Sequence, residues 1–313
     1  MEHVIAIIGP TAVGKTALSF ALADYFHTDL ISGDAYQIYR RMNIGTAKPT
    51  KEELQQYTHY LIDIAEPGEP YSAAKFCQMA DTAIRRVNKK GKIPILVGGT
   101  GLYVQSLLEG YQFGASHADE AARQKAKETI QSLTERELKA YIASQTDWQP
   151  ADWHELLANT NRLVRLITAI HMGEGRQFVR AAKADGLVYH AYVIGLSLPR
   201  EVLYARIEQR IDTMIEIGWI DEVRQLLAQG ISPDCQAMKA IGYQELAAYL
   251  QKKMPLELAV EQIKKRTRHF AKRQLTWYRR MPYIHWFEKN NYPSEDALAA
   301  DVIRHIPFTK ERI

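Results

Sequence analysis

Apolar and polar residues alternate along the chain in blocks that predict strands and helices in turn. Residues 4–8 form a continuous apolar run, which is typical of a strand buried on both faces of a parallel sheet. A glycine-rich turn and a helical pattern over 15–26 follow, and further strand patterns occupy 29–32, 59–64 and 93–97. Helix-length segments separate these strands. The alternation predicts right-handed βαβ units, and therefore an α/β fold with a parallel sheet and helices on both faces.

The pattern changes near Gly114. From there to residue 184 the chain is polar and helical, without the signature of a buried strand. We therefore expect a mostly helical insertion domain at 114–184, within a core domain formed by 1–113 and 185–313.

After the insertion the chain returns to strand character over 187–198. Pro199 is a predicted helix start, and helical patterns continue to about Gly230. A long helix is predicted from about Pro255 to Arg280, followed by a strand at 283–287 and a closing helix.

The composition is that of an ordinary globular protein, with 46% apolar and 24% charged residues among 313. The two cysteines, Cys77 and Cys235, form no CxxC pair, which argues against a structural zinc site and against a secreted disulfide scaffold. No apolar run reaches the roughly 18 residues of a membrane helix. The N-terminus lacks the basic segment of a signal peptide. These features predict a cytoplasmic protein without a membrane segment.

The positive charge is concentrated in one segment. The net charge is +4, but residues 264–280 hold eight Lys and Arg and no acid, which leaves 32 basic and 36 acidic residues elsewhere. Such a segment indicates a polyanionic partner.

At 100° per residue, the predicted long helix has a basic face and an apolar face. The basic face lies within about 60° and holds Lys265, Arg268, Lys272 and Arg279. The opposite face holds Ile263, Phe270, Trp277 and Met281. We expect the apolar face, with His269, Trp277 and Tyr278, to pack on the core, and the basic face to meet RNA or solvent.

A phosphate-binding loop follows the first strand and precedes the first helix. Its residues, which match GxxxxGK[ST], are Gly9, Pro10, Thr11, Ala12, Val13, Gly14, Lys15 and Thr16. Glycines let backbone N–H groups turn inward, the helix N-terminus adds positive potential, Lys15 adds a charge, and Thr16 can ligate Mg²⁺. Loops of this type bind nucleotides such as ATP, so the motif predicts a phosphate ligand but no particular reaction.

The positions of acidic residues near the P-loop indicate which class of reaction it supports. The strand at 93–97 ends in Gly98-Gly99-Thr100-Gly101 instead of an acid, whereas Asp34 follows the second strand. One carboxylate and a hydroxyl suit a transferase better than a hydrolytic motor. Asp63 is a second possible metal ligand, although a locally satisfied carboxylate is the reading we favour there.

Seven segments in one order resemble the bacterial tRNA dimethylallyltransferases, also called tRNA isopentenyltransferases. The resemblance extends from about residue 4 to residue 287. The segments are Gly9–Thr16, Ile31–Tyr39, Asn43–Pro49, Val97–Tyr103, Asn161–Arg165, Ala240–Glu245 and Lys272–Arg279.

The resemblance implies a P-loop kinase-like core and a helical insertion that grips the anticodon stem-loop of tRNA. It implies transfer of a dimethylallyl group from dimethylallyl diphosphate to N6 of the adenosine 3′ of the anticodon. The P-loop would then hold a diphosphate leaving group, with Mg²⁺ assisting. We expect a monomer.

The resemblance also implies site residues. Asp34 would be the general base, although a helix cap or a metal ligand is the alternative. Thr100 would contact the target nucleotide, or else satisfy its own turn. Arg206 or Arg210 would reach the diphosphate, unless both are surface arginines. Further implied tRNA contacts are Ala35, Tyr36, Gln37, Arg123, Asn161, Arg162, Arg165, Arg268, Lys272 and Arg279.

The chain departs from the family pattern at a few positions. Ala35 and Asn43 stand where relatives usually carry serine and aspartate, so a hydrogen bond from that serine is absent. The usual Ile-His-Pro-Asn-Asp stretch before Arg162 is replaced by a different sequence at Trp153–Asn161.

Three other functions remain open from the residues alone. A transferase acting on free adenine nucleotides would share the P-loop and Asp34 without needing the basic helix. A small-molecule P-loop kinase would transfer phosphate from ATP. A non-catalytic RNA-binding module would need neither Asp34 nor the loop.

Overall fold

A computed structural model describes residues 1–111, 113, 120–146, 153–177 and 186–308. The chain divides into two compact units. The core unit is Met1–Glu109 with Gly186–Ile313, and the inserted unit is Gly110–Asp185. The domain boundaries expected near 114 and 184 fall on residues outside the described part.

One six-stranded sheet forms the centre of the core unit, in the order β3-β2-β4-β1-β5-β6. All neighbouring strands are parallel. The predicted α/β fold class is confirmed. The strands are β1 (His3–Ile8), β2 (Leu30–Ser32), β3 (His59–Tyr60), β4 (Ile95–Gly98), β5 (His190–Ser197) and β6 (Ile284–Glu288).

The central strand β1 explains the first apolar run, because β4 and β5 flank it and Val4–Ile8 are fully buried. The third strand is shorter than the predicted 59–64. Leu61 and Asp63 have φ values of 64° and 55°, left-handed conformations that end the extended backbone.

Helices connect the strands and build the inserted unit. Those of the described part are α1 (Lys15–Phe26), α2 (Lys51–Gln56), α3 (Ala73–Asn88), α4 (Gly101–Leu108), α5 (Glu120–Ser132), α6 (Glu135–Gln145), α7 (Trp153–Ala158), α8 (Thr160–His171), α9 (Arg200–Glu216), α10 (Trp219–Ala228), α11 (Tyr243–Leu250), α12 (Leu256–Tyr278) and α13 (Glu295–His305).

Local chemistry sets several helix ends. The Ser72 hydroxyl accepts the Lys75 N–H at the start of α3, and Gly218, at φ 104°, separates α9 from α10. Helices α5–α8 belong to the inserted unit, which has its own apolar core. That core includes Ala126, Leu138, Ile142, Leu156, Leu163, Leu166, Ile167 and Ile170.

The long helix α12 buries a face rotated by about 40° from the predicted one. Its buried residues are Ala259, Ile263, Ala271, Gln274 and Tyr278. Tyr278 is buried as expected, and Trp277 lies against Gly101 although it is 37% exposed. His269 is exposed, so the expectation that it is a packing residue is wrong. The apolar pattern misled because a glutamine occupies the centre of the buried face.

No helix in the described ranges combines the length and the apolarity needed to cross a membrane.

Candidate active site

The P-loop joins the buried strand β1 to helix α1, which begins at Lys15. Gly9 and Gly14 have φ values of 147° and 108°, conformations that residues with side chains rarely adopt. A Cβ on Gly9 would also lie 2.7 Å from the Leu196 carbonyl oxygen. The Val13 N–H donates to the Pro10 carbonyl at 3.4 Å. The two glycines are therefore required by backbone geometry.

Lys15 folds back over the loop that carries it. Its Nζ donates to the carbonyl oxygens of Gly9 and Pro10, each at 2.9 Å. Burial, and then the charge of Arg210, lower the pKa of Lys15 to about 8, while Asp34 acts in the opposite direction. The ammonium group is thus held at the loop by neutral oxygens, which an anion can replace.

Two arginines of α9 reach this region. Arg206 Nε donates to the Ala12 carbonyl at 3.0 Å. Burial lowers the pKa of Arg210, and the charges of Asp34 and Arg206 also act on it. The sequence left open which arginine approaches the loop. The structure places Arg206 in contact with it and Arg210 in the field of Lys15 and Asp34.

Asp34 lies just beyond the carboxyl end of β2. Its Oδ1 accepts the Tyr36 N–H at 2.8 Å and the Gln37 N–H at 3.4 Å, so it caps a turn, where the sequence suggested a helix cap. Oδ2 accepts no hydrogen bond from any described residue. Desolvation raises the pKa of Asp34 despite those N–H groups and the charges of Lys15 and Arg210. A raised pKa and an open oxygen suit a general base.

Thr100 ties the loop after β4 to the loop after β2. Its Oγ1 accepts the Ala35 N–H at 3.0 Å, so it satisfies a neighbouring loop instead of its own turn. Close by, the Gly33 N–H donates to the Val97 carbonyl at 2.7 Å, and a Cβ on Gly98 would overlap the Gly33 backbone. The two loops therefore meet at van der Waals distance.

The side-chain amide of Gln37 makes its hydrogen bonds within the protein. Its Oε1 accepts the Ser32 hydroxyl at 2.9 Å, and its Nε2 donates to the carbonyls of Thr46 and Ala47 at 3.3 and 3.2 Å. Tyr36 is half-buried, and burial raises its pKa. A role for either residue in reading RNA stays a prediction.

Asp63 pairs with Lys48 at 2.6 Å, and the Lys48 side chain is only 2% exposed. This contact agrees with the local role that we favoured for Asp63. No cluster of three or more His, Cys, Asp or Glu with metal-binding geometry occurs in the described part. Thr16 is exposed at the start of α1.

The sequence analysis did not identify two side chains that hold the segment 43–45 in place. Glu222 accepts the backbone N–H groups of Asn43 and Ile44 at 2.7 and 2.8 Å. Trp219 is buried so close to Gly45 that a Cβ there would overlap the indole ring. The glycine in a quoted motif was the only signal available, because both partners lie over 170 residues away.

The third missed residue is Gln274 of α12, which is 5% exposed. It accepts the Thr11 N–H at 2.9 Å and donates to the Gly99 carbonyl at 2.7 Å. It therefore joins the P-loop to the second glycine loop. Its signal was a polar residue on the face opposite the basic residues.

The basic segment is partly neutralised by acids from other helices. Lys264 pairs with Asp212 at 2.6 Å, Arg266 with Glu245, and Arg268 with Glu208. The predicted role of Arg268 in RNA binding is therefore weakened, because Glu208 neutralises its charge. Counting charges along the sequence could not show this pairing.

The cations of the C-terminal half of α12 and of the two residues after it are not neutralised in this way. They make no ion pair with any residue that the structure describes, and they lie beside the exposed Trp277, whose ring contacts Gly101. We call Lys272, Arg273, Arg279 and Arg280 the basic patch.

In the inserted unit, three arginines from α5 and α8 approach one another. Burial, and then the charges of Arg123 and Arg162, lower the pKa of Arg165. Asn159 caps α8 by accepting the Arg162 N–H at 3.1 Å, and Asn161 is exposed on the first turn. Arg123, Arg162 and Arg165 thus form one cationic group, and helix α7 stands where the sequence suggested a loop before Arg162.

Comparisons with known proteins agree on one family. Residues 37–281 match the family described as IPP transferase. The chain is 42% identical over 287 residues to a tRNA dimethylallyltransferase of Bacillus velezensis, covering 91% of this chain and 90% of that protein. A Geobacillus kaustophilus protein of the same name is 39% identical over 307 residues, covering 97% and 96%.

Solved structures agree with the sequence matches. A tRNA isopentenylpyrophosphate transferase from Bacillus halodurans has a TM-score of 0.72 and 37% identity, covering 97% of this chain and 95% of that one. A eukaryotic dimethylallyltransferase acting on tRNA has a TM-score of 0.75 and 26% identity, covering 100% and 82%.

Proposed function

The chain belongs to the IPP transferase family, an enzyme family of prenyltransferases, and we propose that it modifies tRNA. The donor is dimethylallyl diphosphate, and the acceptor is N6 of the adenosine immediately 3′ of the anticodon. The enzyme acts in the cytoplasm, where its tRNA substrates are found, and it acts as a monomer.

The observation that carries the proposal is the meeting of three loops at the carboxyl ends of neighbouring strands. The P-loop follows β1, Thr100 follows β4, and Asp34 follows β2. Lys15 and Asp34 are close enough for each charge to affect the pKa of the other. A phosphate cradle beside an open carboxylate suits attack by a weak nucleophile on a carbon that bears a diphosphate.

The reaction exchanges one bond for another. The bond from the allylic carbon to the diphosphate oxygen breaks, and its electron pair stays on the diphosphate. The N6 lone pair forms the new C–N bond, and one N6 proton passes to the carboxylate of Asp34. The exocyclic amine is a poor nucleophile, so removal of its proton as the bond forms lowers the barrier. The adenosine must leave its stack to reach this carboxylate.

Charge on the leaving diphosphate is stabilised by the loop and its cations. Lys15 exchanges its two carbonyl acceptors for phosphate oxygens, and the neutral loop carbonyls cost little to give up. Arg206 and Arg210 add positive charge from α9. Because the charge develops during departure, these groups favour the transition state more than the bound substrate.

The available donors fit a Mg²⁺ ion shared with the substrate. Mg²⁺ usually keeps several waters and binds through a few protein oxygens plus phosphates, so a complete protein cage is not needed. The Thr16 hydroxyl, exposed beside Lys15, is the residue that would hold it. When bound, the ion would neutralise diphosphate charge.

Two cationic surfaces serve RNA binding. The basic patch on α12 lies in the core unit, and Arg123, Arg162 and Arg165 group together in the inserted unit. Arginine suits phosphate because its planar donors match two oxygens at once. The backbone of an anticodon stem-loop offers the phosphates that both groups require.

A transfer assay tests the proposal. Purified protein is mixed with Mg²⁺, radiolabelled dimethylallyl diphosphate and an anticodon stem-loop that carries adenosine at the target position. A matched stem-loop carries purine riboside there, which lacks only the N6 amine. AMP and ATP are offered in parallel. We expect label on the adenosine stem-loop alone.

The other outcomes identify the alternatives. Label on AMP or ATP alone would show that the acceptor is a free adenine nucleotide. Equal label on the purine riboside control would exclude N6 as the acceptor. No label together with hydrolysis or transfer of the ATP γ-phosphate would favour a kinase. No reaction with intact stem-loop binding would favour an RNA-binding module.

A further inference from the structure

We propose that Gln274 is a positioning residue that holds the two substrate-binding loops at a fixed separation. The inference rests on the proposed function, because it assigns the P-loop to the diphosphate and the loop of Thr100 to the nucleoside. Gln274 touches neither substrate. It acts through the backbone of both loops.

The geometry of the side-chain amide carries the inference. Oε1 accepts the Thr11 N–H at 2.9 Å, and Nε2 donates to the Gly99 carbonyl at 2.7 Å. One rigid planar group therefore spans two loops that follow different strands. The side chain is 5% exposed, so water cannot readily replace either bond.

Neighbouring residues of α12 contact the same glycine loop. The Tyr278 hydroxyl donates to the Gly98 carbonyl at 3.4 Å, and a Cβ on Gly101 would lie 2.6 Å from the indole of Trp277. A Cβ on Gly99 would similarly lie 2.6 Å from Gln274 Nε2. The helix therefore lies directly against this loop, and Gln274 alone among these residues also holds the P-loop.

The connection continues to the proposed base. Gly99 is followed by Thr100, whose hydroxyl accepts the Ala35 N–H at 3.0 Å, and Ala35 follows Asp34. A shift of Gly99 relative to Thr11 thus changes the distance from leaving group to acceptor. Misplacement by about 1 Å can cost about 100-fold in rate, even when the cause lies away from the reacting atoms.

The test is Gln274→Met, which keeps the length of the side chain and removes both hydrogen bonds. The matched control is Gln262→Met on the same helix, because Gln262 is half-buried and its side chain makes no hydrogen bond within the described part of the chain. Steady-state kinetics are measured with dimethylallyl diphosphate and a stem-loop. Calorimetry measures the affinity for inorganic diphosphate, and thermal unfolding measures stability.

We expect Gln274→Met to raise the KM for dimethylallyl diphosphate about tenfold, consistent with losing about 1.4 kcal/mol, and to lower kcat about tenfold. Its affinity for inorganic diphosphate should fall in parallel, while stem-loop binding stays within twofold. The control should match the wild type. A purely structural role would reduce the active fraction and leave both KM values unchanged.

Equal KM and diphosphate affinity in the two variants would overturn the inference. Should Gln274→Met fail to fold, Gln274→Glu decides, because its carboxylate can accept from Thr11 but cannot donate to Gly99. Wild-type diphosphate affinity in that variant would also overturn it. Absence of transfer by the wild type would refute the proposed function instead, and the diphosphate affinities would still test Gln274.

Discussion

The substitution Asp34→Asn separates the chemistry of this side chain from its part in the fold. Oδ1 holds the turn by accepting two N–H groups at 2.8 and 3.4 Å, and the carbonyl oxygen of asparagine can accept both. The substitution replaces only Oδ2, and the amide NH₂ group that takes its place cannot accept a proton. Proton removal by a positioned base contributes about 10²- to 10⁴-fold. We expect kcat to fall by about that range, with an intact fold.

Substrate binding should respond in the opposite direction. The negative charge of Asp34 offsets the positive charges of Lys15 and Arg210. Its removal leaves the P-loop more positive, so inorganic diphosphate should bind to Asp34→Asn at least as tightly as to the wild type. A lower kcat with an undiminished affinity is the signature of lost chemistry.

The pH dependence follows from the raised pKa of Asp34. The base must be ionised, so wild-type kcat/KM should rise with pH through that pKa, and this limb should be absent in Asp34→Asn. The pKa of Asp34 is higher in the folded than in the unfolded protein. Asp34 therefore adds to the free energy of unfolding below its unfolded-state pKa of about 3.9, and this contribution is lost as the pH rises through the folded-state pKa. The variant should therefore be more stable than the wild type at neutral pH and lose that advantage near pH 4.

Single-turnover transfer of labelled dimethylallyl to the stem-loop measures the rate, and Asp63→Asn is the matched control. Asp63 is also a carboxylate near a strand end, but it is paired with Lys48. A rate in Asp34→Asn within threefold of that control would refute the assignment of Asp34 as the base.

Three further predictions concern charge and packing. Lys272→Glu with Arg279→Glu should weaken stem-loop binding and flatten its salt dependence in anisotropy titrations, and equal loss of diphosphate binding would instead indicate a structural helix. Since the pKa of Lys15 is about 8, calorimetric affinity for inorganic diphosphate should fall between about pH 7 and pH 9; a Lys15→Met variant with the same pH dependence would contradict this cause. Gly45→Ala should lower stability by about 1–3 kcal/mol in urea unfolding, because its Cβ overlaps Trp219, and an unchanged midpoint would show that the indole ring yields at no cost.

The sheet and the P-loop could be predicted because their signals are local. A strand buried on both faces requires a continuous apolar run, and the loop requires glycines between that strand and a helix. Asp34 and Thr100 could be proposed because the carboxyl ends of parallel strands share one edge of the sheet. The early end of the third strand could not be predicted, since a leucine rarely adopts the left-handed conformation that Leu61 has there.

Contacts over long sequence separations were beyond a linear reading. Gln274 bonds to Thr11 across 263 residues and to Gly99 across 175. The position of Gln274 on the face opposite the basic residues indicates that the amide is buried, but it does not indicate which groups the amide contacts. Its partners are backbone groups, which every residue carries. Only the fold shows that this amide meets two loops at once.

Charge along α12 shows why a linear count and a folded surface differ. The segment 264–280 contains no acid, yet Lys264, Arg266 and Arg268 each find one on α9 or α11. These pairs lie in the first part of the segment, where α12 packs against both helices. Apart from Lys265, the cations without such pairs in the described part of the chain lie from Lys272 to Arg280, beside Trp277 and the loop of Thr100. The positive potential therefore concentrates next to the proposed nucleoside site, where an incoming RNA backbone gains most from it.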